Sequence, residues 1–130
     1  MNDVDKKKIL IVEDDNHLNR MMSYLFQSQV YSVEIATSGS DALETLKNFT
    51  PHIIILDLLM PNMDGFEFLK IIKEDASLKD IPVVVLSALP SYMNKDKVLS
   101  IGASDYINKP FQSAELVSRI NKLMEEKYKK

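Results

Sequence analysis

Glu13, Asp14 and Asp15 follow directly on the apolar run ILIV, Asp57 follows IIIL, Ser87 follows VVVL, and Lys109 stands immediately before Pro110. The first three groups sit where an apolar run stops. A cluster of carboxylates without His or Cys offers hard oxygen ligands, which suit Mg²⁺ or Mn²⁺ better than zinc. Two carboxylates about 4 Å apart repel by roughly 4 kcal/mol at an effective dielectric of 20, so acidic groups sharing one rim favour a bound cation. Beside a metal, a carboxylate such as Asp57 can attack a phosphoryl group and form an aspartyl phosphate. Lys109 can reach a phosphoryl oxygen as a compact point charge, and the Ser87 hydroxyl can bond the same group.

Each residue also has a plainer role. Asp15 or Asn16 makes a good N-cap for the helix that follows, and we assign Asp15 to that role. Capping does not account for Glu13 and Asp14, which would face Asp57, so the expectation there is a metal site. A lone Asp at a strand end is commonly a cap or turn residue, a lysine is commonly solvated, and Ser87 can cap the next segment. Tyr106 alone reads as a half-buried aromatic on an edge strand.

These residues converge only if the intervening elements place them on one rim. Five short runs read as strands: KILIV (8–12), YSVEIA (31–36), HIIIL (52–56), PVVVL (82–86) and DYIN (105–108). IIIL and VVVL are continuously apolar, as strands are when helices cover both faces of a parallel sheet. The second and fifth runs are more polar and suit sheet edges. Leu18, Met21, Met22, Leu25 and Phe26 keep helical spacing, as do Leu116, Ile120, Leu123 and Met124. Ala42, Leu43, Leu46 and Phe49 predict another helix, Phe66, Leu69 and Ile72 a fourth, and Tyr92 to Ile101 a fifth that stops at Gly102. Pro61, Asn62 and Gly65 mark a turn into the helix after Asp57. Strict β–α alternation with short connections predicts an α/β doubly wound parallel sheet. In such a sheet the functional crevice lies beyond the carboxyl ends of the strands, where the polar groups stand.

A length of 130 residues fits one domain, and 45% hydrophobic with 27% charged residues is the usage of a compact globular chain. The formal charge of −3 and dispersed lysines argue against a nucleic-acid footprint. No apolar run reaches the roughly 18 residues of a membrane span, and MNDVDKKK does not lead a signal peptide, so the expected setting is cytoplasmic. The chain has no cysteine, which excludes a disulfide framework and a thiolate metal site.

The motifs LIVEDD, ILDLLMPNMDG, VVLSA and YINKPF, in that order and each at the end of an expected strand, resemble the receiver domain of two-component response regulators. The resemblance covers residues 7–124, with 1–6 a frayed N-terminus and 125–130 the end of the last helix or a linker. It implies a flavodoxin-like sheet of strand order 2-1-3-4-5 and Mg²⁺-dependent transfer of a phosphoryl group from a histidine kinase's phosphohistidine to Asp57. Asp14 and Asp57 are then metal ligands with the Leu59 carbonyl, and Glu13 acts through water. Ser87 and Lys109 assist the transfer. Ser87 moving toward the phosphoryl group opens space for Tyr106 to turn inward, changing the surface of the fourth helix and fifth strand. The implied partners are a sensor histidine kinase or phosphotransfer protein and a downstream effector or output domain, with a monomer or a phosphorylation-dependent dimer through the fourth and fifth helices. The chain fits equally a stand-alone receiver and the receiver part of a larger regulator. The resemblance also implies a domain that catalyses its own phosphorylation and dephosphorylation and is not a turnover enzyme.

Two rivals fit less well. A flavodoxin-type electron carrier wants a small-residue phosphate loop after strand one, where three carboxylates would repel the FMN phosphate. A Mg²⁺-dependent aspartyl-phosphate hydrolase wants a second acid two residues after its nucleophile, and that position is Leu59. Leu59 and Leu89 would instead flank the phosphoryl group and hinder attacking water.

Overall fold

A computed structural model describes residues 6–59 and 64–128. Its elements alternate strictly: β1 (Lys8–Val12), α1 (Asn16–Gln27), β2 (Ser32–Ala36), α2 (Gly39–Thr45), β3 (Ile53–Asp57), α3 (Gly65–Glu74), β4 (Val83–Ser87), α4 (Ser91–Ile101), β5 (Asp105–Asn108) and α5 (Ser113–Tyr128). All four strand pairings are parallel, in the order β2-β1-β3-β4-β5. The two more polar strands are the edges, as their composition predicts.

Alternation along each strand divides the apolar residues between two cores. Leu10, Val12, Ile54, Leu56, Val83 and Val85 face one way and pack with Ala42, Phe68, Leu69, Ile72 and Val98 from α2, α3 and α4. Ile9, Ile11, Ile53, Ile55, Val84 and Leu86 face the other way and pack with Met22 and Phe26 of α1 and Leu116, Ile120 and Met124 of α5. Continuous runs such as IIIL are therefore buried throughout, because each face has its own cover. Among the described residues no helix is long and apolar enough to cross a membrane.

Three expectations need correction. The buried row of α1 is Asn19, Met22 and Phe26, whereas Met21 is 39% exposed. The helix is rotated from its apolar stripe, because a polar side chain takes the first buried position. Helix α2 is also shorter than its apolar spacing suggests: it ends at Thr45 with Leu46 as C-cap, and Phe49 packs on the core from beyond it. Tyr106 is buried, not half-buried, although it stands on an edge strand, because α4 covers that edge. Helix α4 does end at Gly102, whose φ of 130° suits glycine and few other residues. The turn residues Pro61 and Asn62 lie outside the described residues.

Candidate functional site

Strand register brings the chemistry together. Val12 pairs with Leu56, Asp57 with Leu86, and Ser87 with Asn108, so the residues just past β1 and β5 and the last residues of β3 and β4 share one rim. That rim includes the switch point where β2 lies to one side of β1 and β3 to the other. Glu13, Asp14 and Asp57 each bring a carboxylate oxygen within 4.8 Å of the others. They form the one such cluster of acidic, His or Cys side chains among the described residues.

The three acids are not equivalent. Glu13 is 2% exposed and both its oxygens are engaged: Lys109 Nζ donates to Oε1 at 2.8 Å and the Asp15 amide to Oε2 at 3.1 Å. Asp14 is exposed, and Asp57 is 5% exposed. Lys109 Nζ lies 3.4 Å from Asp57 Oδ1, and the Leu59 amide is also 3.4 Å from that oxygen. Asp57 Oδ2 accepts no hydrogen bond from the described residues. Burial pushes the Glu13 carboxyl up, with Asp57 adding to the effect, against the lowering pull of Lys109 and the Asp15 amide. Burial by itself would lower Lys109, but the Glu13 hydrogen bond and the charge of Asp57 outweigh it and hold its ammonium above the usual range. Lys109 is thus a buried-end ion-pair partner for two carboxylates, not a solvated lysine.

Backbone constraints set these positions. Asp15 caps α1, accepting from the His17 and Leu18 amides at 2.9 and 3.1 Å, as its sequence position predicts. Gly65, which sequence reading treats only as a turn residue, is needed for close approach. A Cβ there would lie 2.5 Å from Leu58 Cα and 2.8 Å from the Asp57 carbonyl oxygen. The Gly65 amide donates to the Leu58 carbonyl at 2.7 Å, so the start of α3 is pressed against the chain that carries Asp57. Lys109 joins Pro110 through a cis peptide, and its amide donates to the Ser87 carbonyl at 2.8 Å. Ser87 is fully buried, and its hydroxyl oxygen accepts from the Leu89 amide at 3.0 Å, which leaves the O–H free to donate elsewhere.

Tyr106 lies beneath α4 with its hydroxyl donating to the Leu89 carbonyl at 2.9 Å, and Asn108 Nδ2 donates to the same carbonyl at 3.1 Å. The ring is buried while Ser87 still accepts from the Leu89 amide. Burying the ring is favourable once its hydroxyl has an acceptor. Asn108 was not among the residues singled out from sequence, and neither was Asn19, whose amide reaches the Glu13 carbonyl. For Asn19 a signal existed: an amide three residues before Met22 and seven before Phe26 stands on their face of the helix.

A family model described as the response regulator receiver domain matches residues 9–121. The chain belongs to the response regulator receiver domain family. It is similar to the receiver domain of the Francisella response regulator 1452 (TM-score 0.86, 32% identity, covering 93% of this chain and 98% of that one). It is also similar to the Vibrio cholerae chemotaxis protein CheY4 (TM-score 0.84, 31% identity, 90% and 98% covered). Among curated sequences, the transcriptional regulatory protein CssR of Bacillus subtilis is 35% identical over 93% of this receiver and 52% of its own length. The hybrid signal transduction histidine kinase D of Dictyostelium discoideum is 38% identical over 92% of this chain, but that match covers 8% of the kinase. The receiver thus spans about half the length of a regulator such as CssR. Its acidic rim fits the phosphorylation site expected of a response regulator receiver.

Proposed function

We propose that Asp57 accepts a phosphoryl group from the phosphohistidine of a sensor histidine kinase or phosphotransfer protein, and that the loaded domain signals to a downstream effector or output domain. The observation that carries this reading is the Asp57 carboxylate: buried at the strand end, faced by the Lys109 ammonium through Oδ1, with no hydrogen bond to Oδ2 among the described residues. In the transfer, an Asp57 carboxylate oxygen forms the new P–O bond while the P–N bond of the phosphohistidine breaks and the imidazole leaves with its electron pair. Lys109 is already beside the nucleophile, so its charge stabilises the phosphoryl oxygens without a costly rearrangement. Ser87 has a hydroxyl proton available to donate to the transferred group.

Hard carboxylate oxygens converging within 4.8 Å, with Lys109 the one lysine paired to them among the described residues, fit a divalent cation. Asp14, Asp57 and the Leu59 carbonyl would hold Mg²⁺, or Mn²⁺ in its place, while Glu13 would act through water, since both its oxygens already accept hydrogen bonds. When bound, the ion supplies positive charge that neutralises the phosphoryl oxygens.

The new group brings about −1.5 to −2 charges into the crevice. A bond from the Ser87 O–H to it draws on the hydroxyl whose oxygen already accepts from the Leu89 amide, and the Leu89 carbonyl is what Tyr106 and Asn108 hold. Ser87, Leu89 and Tyr106 therefore couple the acceptor to α4 and β5. Shifting that surface from 1:99 to 99:1 would take about 5.5 kcal/mol of differential stabilisation. The receiver unit is residues 7–124, with 125–130 as helix end or linker, and it works as a phosphorylated switch, not a turnover enzyme. Dimerisation through α4 and α5 on phosphorylation belongs to the same reading.

Incubation with acetyl phosphate and Mg²⁺ should add one base-labile phosphoryl group per chain, detected by mass spectrometry, and none to Asp57→Asn. Undiminished labelling of Asp57→Asn would show that the acceptor lies elsewhere.

A further inference from the structure

Asn19 occupies the first buried position of α1, 3% exposed, on the face where Met22 and Phe26 fill the core. Its Nδ2 donates to the Glu13 backbone carbonyl at 2.6 Å, and its Oδ1 is buried without a donor among the described residues. Half of this amide is therefore unsatisfied by protein, a poor arrangement if filling the core were its only task. The other half acts at one point. Beyond Val12 the chain leaves the β1–β3 ladder, and the Glu13 amide makes its last bond to β2, to the Ala36 carbonyl at 3.0 Å. The Glu13 carbonyl has no ladder partner, and Asn19 takes that place.

Fixing this carbonyl fixes the plane of the Glu13–Asp14 peptide, and with it the direction in which Asp14 leaves the backbone. The two acids depend on that peptide to different degrees. Glu13 is held independently through its side chain by Lys109 and the Asp15 amide. Asp14 is exposed, and its carboxylate has no hydrogen bond among the described residues, so only its backbone aims it at the rim.

We propose that Asn19 is a positioning residue for the divalent cation: its buried amide locks the Glu13–Asp14 peptide so that the Asp14 carboxylate points into the site. The proposal rests on the reading of Glu13, Asp14 and Asp57 as a cation site. Partners that orient a ligand typically contribute 10- to 100-fold to metal affinity, and Asn19 reaches its ligand through one peptide plane, so about 10-fold is expected.

The test titrates Mn²⁺ into the full chain and follows free Mn²⁺ by electron paramagnetic resonance, in wild type, Asp14→Asn, Asn19→Leu and the exposed control Asn16→Ala. Asn19→Leu keeps the side-chain volume without the donor, and Asn19→Ser replaces it should the leucine variant not fold. The expected result is Mn²⁺ affinity about 10-fold weaker in the Asn19 variant and unchanged in Asn16→Ala. The Asn19 variant's phosphorylation rate at saturating Mg²⁺ should fall far less than its affinity. Its thermal midpoint in chelator should stay within a few degrees of wild type. Wild-type affinity in the Asn19 variant, with or without a loss of stability, overturns the proposal and makes the residue structural. Failure of wild type to bind Mn²⁺, or equal binding by Asp14→Asn, overturns instead the underlying cation reading, and the proposal with it.

Discussion

Leu59 and Leu89 differ in how closely they are held. Leu59 is 51% exposed two residues past Asp57, whereas Leu89 is half-buried with its amide on Ser87 and its carbonyl under Tyr106 and Asn108. Apolar groups beside a phosphoryl group give an attacking water nothing to bond to. Leu59→Asn and Leu89→Glu should therefore shorten the lifetime of the phosphorylated form, measured as loss of label after the donor is removed. Unchanged or slower loss in both variants would sink this idea. Gly65 yields a sharper expectation, because the clash there is with backbone that cannot move aside cheaply. Gly65→Ala should destabilise the domain by at least about 2 kcal/mol in denaturant unfolding and slow phosphorylation as well, since the displaced atoms belong to Asp57 and Leu58. A variant as stable as wild type would mean that α3 tolerates a shift along its axis.

At the scale of elements, the far end of α5 is tied to the opposite rim of the sheet. The Lys8 amide donates to His52 Nδ1 at 2.9 Å, the Tyr128 ring meets the His52 ring edge-on at 4.9 Å, and the Tyr128 hydroxyl donates to the His52 carbonyl at 2.7 Å. Because Nδ1 must accept, this arrangement suits the neutral ring. Burial lowers the His52 pKa below its usual 6.5, and the nearby Lys7 and Lys8 lower it further. A folded value below the unfolded one means that the unfolded chain binds more protons in the window between them. Stability contributed by neutral His52 is thus complete above about pH 6.5 and is lost as the pH falls through the folded value. Thermal midpoints followed from pH 7.5 down to pH 5 should drop less in His52→Asn, whose side-chain oxygen can take over the Lys8 amide without titrating. Parallel pH profiles for the two proteins would place the acid sensitivity elsewhere.

For the whole molecule, three carboxylates against one paired lysine among the described residues give the crevice excess negative charge, so a ligand that neutralises it should stabilise the fold. A cation bound only by the folded state contributes RT ln(1 + [L]/Kd), about 2.7 kcal/mol at a hundred times Kd. Saturating Mg²⁺ should raise the thermal midpoint by several degrees, chelation should reverse the rise, and Asp14→Asn should show neither effect. An equal response in Asp14→Asn would mean that the ion acts through general screening. Asp57 and Ser87 close strands whose two faces are both buried, and Lys109 directly follows β5, so the site is tied to the core on both sides of the sheet.

Strand runs, helix periods and the order of polar residues at strand ends are local properties, and they were enough to define the alternation, the doubly wound sheet, the family and the rim where Asp57, Ser87 and Lys109 meet. Asp15 as the cap of α1 was legible for the same reason, since a cap is decided within three residues. Contacts between residues distant in sequence were not. The pairing of Lys109 with Glu13 across 96 positions, the reach of Asn19 to a strand-end carbonyl, the double hold on Leu89 and the burial of Tyr106 beneath α4 all depend on register and helix rotation. A hydrophobic stripe sets that rotation only to within about one residue's turn. Residue types thus determined which chemistry this protein carries, whereas tertiary packing alone decided which acid is locked, which is open and which neighbours aim them.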